Sequence, residues 1–88
     1  MACRLGVVIM VGFKLIEVDN NTAIYDYYPE NKKADKGTIL YNREDGEIEF
    51  IERSVEDPFS WYAWHLGNRL DEFNKTGNFE ETGYVAWY

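Results

Sequence analysis

One segment of this chain carries a helical repeat. In DPFSWYAWHLGNRLDEFNKTG (residues 57–77), Phe59, Tyr62, Ala63, Leu66, Leu70 and Phe73 fall within an arc of about 100°. Asp57 followed by Pro58 reads as a helix N-cap and first helical residue, and Gly77 reads as the residue just past the C-terminus. The chain has 88 residues, enough for a single domain. A lone helix with one apolar stripe must bury that stripe on whatever the rest of the chain forms.

The rest reads as strands. VGFKLIEVD (11–19) and TAIYDYY (22–28) flank a turn at Asp19–Asn21. A three-residue loop there pairs Ile16 with Ile24, Lys14 with Asp26 and Phe13 with Tyr27, which sets opposite charges and apolar residues across from each other. A two-residue Asn-Asn turn instead pairs Leu15 with Asp26, and the first register is preferred. Gly12 marks a bulge position where the N-terminal run joins the strand.

GTILYNREDGEIEFIER (37–53) is the clearest hairpin, with Asp45-Gly46 at its turn. A three-residue loop sets Arg43 opposite Glu47, Leu40 opposite Phe50 and Ile39 opposite Ile51. Leu40, Ile48 and Phe50 then form the apolar face that meets Leu66, Leu70 and Phe73. GYVAWY (83–88) alternates Val85 and Trp87 against Tyr84, Ala86 and Tyr88 and reads as a final strand. The expected fold is α+β, an antiparallel sheet of four to five strands with one helix packed across one face. Residues 1–88 make one domain, and residues 1–10 read as an N-terminal extension of it.

The helix has an unexpected far side. Trp61, Trp64, His65, Asn68, Asp71 and Glu72 lie opposite the apolar stripe. Each indole can bury roughly 150–250 Å². Two exposed together approach the few hundred Å² at which an apolar patch marks an interaction site. Three readings follow. The N-terminal run or the last strand folds over them, a second chain covers them, or they form a platform for a small ligand. The twofold dimer is the simplest second chain. His65 has Trp61 and Glu72 as its helical neighbours.

Composition narrows the function classes. The formal net charge is −7, which disfavours phosphate backbones and anionic membrane surfaces. The acids are not spaced like phosphates along one face, as a nucleic-acid mimic would require. The lone cysteine, Cys3, leaves no intrachain disulfide and fits a reducing, cytoplasmic location. The apolar run after Arg4 is too short to cross a bilayer as a helix. One histidine and one cysteine do not make a structural zinc site, the seven glycines form no phosphate loop, and no serine sits in a nucleophile elbow. No catalytic residue, metal or cofactor is therefore expected.

"GEI" after the second turn, the pattern F-x-x-Y-A-x-H at Phe59, Tyr62, Ala63 and His65, and the terminal VAWY (Val85 to Tyr88) resemble a group of small uncharacterised bacterial proteins. The resemblance runs from about Lys14 to the end of the chain. It implies a fold and no activity. Polar or small residues are usual in that group where this chain has Trp61 and Trp64. The resemblance thus implies that the indoles serve this protein's own assembly and that His65 is the better candidate for a shared role. The expectation is a non-enzymatic interaction module, a homodimer with contacts at Trp61, Trp64, His65, Trp87 and Tyr88. The alternative is a small-ligand-binding domain with an aromatic pocket near His65.

Overall fold

The computed structural model describes residues 9–55, 57 and 60–87. Residues 1–8, Pro58, Phe59 and Tyr88, on which parts of the sequence reading fall, lie outside that set. Five strands, β1 (Ile9–Val18), β2 (Thr22–Pro29), β3 (Gly37–Asn42), β4 (Ile48–Glu52) and β5 (Thr82–Trp87), form one sheet in the order β4-β3-β2-β1-β5. All pairings are antiparallel. The helix α1 (Trp61–Thr76) lies across one face between β4 and β5 in sequence. The fold is α+β, as the single amphipathic helix requires. Residues 9 and 10, at the end of the expected N-terminal extension, pair in the sheet with Trp87 and Ala86.

Both hairpins differ from expectation by one residue near their turns. In the first, Asp19 N–H donates to the Thr22 carbonyl at 2.9 Å, so the loop is the two-residue Asn20–Asn21 turn. The Asp19 carboxylate fixes it by accepting the N–H groups of Asn21 and Thr22, each at 2.8 Å. Glu17, not Ile16, then faces Ile24. A bulge between Leu15 and Glu17 absorbs the extra residue and restores the expected pairs Lys14–Asp26 and Phe13–Tyr27. The bulge is therefore at Ile16 rather than at Gly12, and it leaves Ile16 half exposed.

In the second hairpin the loop has four residues. Asn42 N–H donates to the Glu47 carbonyl, and Gly46 N–H donates to the Asn42 carbonyl, both at 2.8 Å. Asn42 and Asp45 side chains accept the N–H groups of Glu44 and Glu47 and hold the longer turn, with Gly46 at φ +78°. Ile39 consequently faces Phe50, and Leu40 faces Glu49. A slip of one residue exchanges the two faces of a strand. Ile39 and Tyr41 are the buried residues, and Leu40 lies on the opposite face, away from the helix.

The core joins Ala63, Leu66, Leu70 and Phe73 of α1 to Val11, Phe13, Tyr25, Tyr27, Ile39, Tyr41 and Val85 of the sheet. Three phenols go into this core, and each hydroxyl has a partner at its rim. Tyr25 donates to the Glu80 carbonyl at 2.6 Å, Tyr27 accepts the Ser54 N–H at 3.0 Å, and Tyr41 donates to the Asp71 carboxylate at 2.5 Å. Rings supply apolar area while their polar tips stay satisfied. Gly77 ends the helix at φ +76° with its N–H on the Phe73 carbonyl at 2.8 Å.

Candidate functional site

The start of α1 is built differently from the expected Asp57–Pro58 cap. Ser60 occupies the N-cap position in left-handed geometry, φ 63°, and makes no side-chain cap. Asp57, 1% exposed, acts from three residues upstream. Its two carboxylate oxygens accept the N–H groups of Tyr62 and Ala63, both at 3.1 Å. Its carbonyl accepts the Ser60 N–H at 3.2 Å. The preference of a carboxylate for a helix N-terminus is satisfied. The Ser60 hydroxyl is held by the Arg53 guanidinium.

This anchoring aims the first two turns of the helix. Trp61 is 64% exposed and Trp64 is 67% exposed. Among the described residues, neither β1 nor β5 covers them. From Ser60 to Arg69 the chain has no acidic residue, although it holds 16 in all. Glu72 pairs with Arg69 at 3.7 Å. It therefore does not cap His65, as its place on the helix suggested.

His65 instead lies on β5. Its ring stacks on Trp87 with centroids 3.7 Å apart and planes 12° from parallel. Tyr62 meets the same indole edge-on at 5.7 Å and donates its hydroxyl to Glu30 at 2.8 Å. His65 and Trp87 thus form one half-buried element, separate from the two outer tryptophans. This pairing was not visible in the sequence, because it needs the sheet order that puts β5 beside β1.

On the other flank of the helix, Trp64, Ala63 and Ser60 face Ile48 and Phe50 across an apolar cleft of about 200 Å³. Gly67 brings the helix down onto β4, since a Cβ there would meet the end of the Ile48 side chain. Arg53 lies over the Phe50 ring at 4.0 Å. Ile48 and Phe50 as cleft residues were legible as apolar strand positions. Arg53 was not, because nothing local marks a guanidinium that will stack on a ring three residues away.

A second, polar cleft of about 370 Å³ lies at the C-terminal end of the helix. Arg43, expected opposite Glu47, turns into it. It donates to the Asp19 carbonyl at 2.6 Å and to Asn74 at 2.9 Å, over the Phe79 ring. Among the described residues, no group of three or more His, Cys, Asp or Glu could hold a metal ion. No described helix is long and apolar enough to cross a membrane. Ser54 is buried, with its hydroxyl on the Asp35 carbonyl.

Comparison with family models, curated proteins and solved structures gave no match, so the geometry carries the functional reading.

Proposed function

We propose that this domain is a non-enzymatic, cytoplasmic interaction module that works as a homodimer and docks another protein chain on Trp61 and Trp64. The observation that carries the reading is the exposure of both indoles, 64% and 67%, beside an apolar cleft on an otherwise acidic chain. Covering ~300 Å² of them would contribute on the order of 7 kcal/mol at ~25 cal/mol/Å², an upper figure before association costs. The net charge of −7 disfavours nucleic acid and anionic membranes as the partner.

The alternative is a small ligand held by the aromatic residues. The cleft of about 200 Å³ supports it only weakly. Pockets for drug-sized molecules run to roughly 300–1,000 Å³. The volume suits one or two side chains of a partner better. The cleft is also lined by Trp64 rather than by His65, whose ring is already stacked.

Light scattering with tryptophan fluorescence tests the reading. A dimeric mass at tens of micromolar is expected, together with an emission that shifts to the blue when a partner chain covers Trp61 and Trp64, a shift that is absent in the Trp61→Ala/Trp64→Ala double variant. Emission typical of water-exposed indole at all concentrations, in cell extract as in pure protein, would count against a docking role for the two rings.

A further inference from the structure

The two edges of the sheet are unlike. β4 has the features that natural edges use against unwanted pairing. It is five residues long, bulged beside Ile51, and flanked or occupied by Glu47, Glu49 and Glu52. β5 shares only the flanking acids, Glu80 and Glu81, which precede it. Its six residues, TGYVAW, hold no charge and no proline, and they pair with β1 in unbroken register from Lys14–Thr82 to Ile9–Trp87.

The direction of its backbone groups follows from two hydrogen bonds. Leu15 N–H donates to the Glu81 carbonyl at 2.7 Å, and the Met10 carbonyl accepts from Glu30 N–H on the other side at 2.8 Å. From Ile9 to Leu15, odd residues of β1 therefore face β5, and even ones face β2. Within β5, positions 83, 85 and 87 spend their backbone groups on β1. Thr82, Tyr84 and Ala86 point theirs away from the sheet, and among the described residues β5 pairs with β1 alone.

We infer that β5 pairs with β5 of a second copy, antiparallel about a twofold axis at Tyr84, to make one ten-stranded sheet. In this register Thr82 faces Ala86 of the second copy, Gly83 faces Val85, and Tyr84 faces Tyr84. The three outward residues of each strand exchange six backbone hydrogen bonds. Tyr84, 59% exposed, gains a ring neighbour on the open face, and Val85 meets a glycine on the helix face without a clash.

Electrostatics permits this contact despite the net charge of −7. Glu81 of each copy lies six positions from its twin, about 20 Å at ~3.4 Å per residue. That is about twice the screening length of ~8–10 Å. Each Glu81 falls opposite Trp87 of the second copy, the indole on which His65 is stacked. The inference rests on the homodimer reading above and places its axis. Because Trp64 lines the cleft on the β4 side of the helix, the axis at β5 leaves that cleft open for a different chain.

Charge exchange at Tyr84 tests the pairing. The full chain should be dimeric by light scattering at tens of micromolar. Its Thr82, Tyr84 and Ala86 amides should be protected from hydrogen exchange. Tyr84→Lys and Tyr84→Glu should each weaken the dimer on the order of tenfold or more, since like charges then meet on the axis. Circular dichroism checks that both variants keep the fold. Mixed in equal amounts they should recover a dimer, because Lys then faces Glu. A monomeric parent, unprotected amides at those three positions, a dimer indifferent to Tyr84→Lys, or no recovery on mixing each overturns the inference. A dimer that survives Tyr84→Lys but is lost in Trp64→Ala closes through the indoles instead, and the docking reading then stands without this one.

Discussion

His65 lies flat on Trp87, with ring centroids 3.7 Å apart and planes within 12°. The stack ties the second turn of α1 to the last strand, far from it in sequence and at the far edge of the sheet. It makes the only histidine of the chain part of the packing between helix and β5. Aromatic pairs of this kind contribute about 0.5–1.5 kcal/mol beyond area burial. A double-mutant cycle of His65→Ala and Trp87→Ala, followed by urea melts, should return a coupling of about that size. Strict additivity would mean that the rings only share a surface.

Leu70 is fully buried at the centre of the helix–sheet core. Leu70→Ala should cost about 2–5 kcal/mol, a transfer loss plus a residual cavity. A denaturant melt shifted by less than about 1 kcal/mol would show that the core collapses around the gap far more readily than buried leucines usually allow.

Asp57 should matter more than an ordinary surface cap. Its carboxylate is buried and carries two backbone N–H groups of the first helical turn. Asp57→Ala leaves both donors without that partner and should destabilise by about 1–3 kcal/mol. Asp57→Asn keeps one acceptor oxygen and should lose less. Equal losses for the two variants in thermal melts would assign the effect to the charge rather than to the hydrogen bonds.

The buried phenols set an alkaline limit. Burial and the hydrogen bond to Asp71 push Tyr41 up to about 12 from an ordinary 10.0. Burial also raises Tyr25 and Tyr27. A raised phenol binds its proton more tightly folded than unfolded. Stability is therefore complete below pH 10 and falls as pH rises from 10 towards 12, where the unfolded chain ionises and the folded one does not. Phenolate absorbance of these three rings should appear together with unfolding in that window. Their titration with the fold intact, judged by circular dichroism, would contradict it.

The helix was legible because its evidence is local. Leu66, Leu70 and Phe73 recur at helical spacing, Gly77 ends the run, and the far side that carries Trp61 and Trp64 follows from the same geometry. The strands were legible as alternating segments, and their number matched. Residue pairing near the turns was less so. Side-chain hydrogen bonds from Asp19, Asn42 and Asp45 chose the loop lengths, and each single-residue change turned strand positions over until a bulge compensated.

What the sequence by itself determined is therefore the set of elements and the apolar stripe of the one helix, since both are periodic and need no distant partner. The tertiary structure alone decided that Ile39 rather than Leu40 faces the helix, that Arg53 covers Phe50, and that His65 meets Trp87. It also decided that β4 and β5 are the two edges of the sheet among the described residues. These depend on strand order and on register, and both are settled by contacts between residues far apart in the chain, where no local pattern reaches.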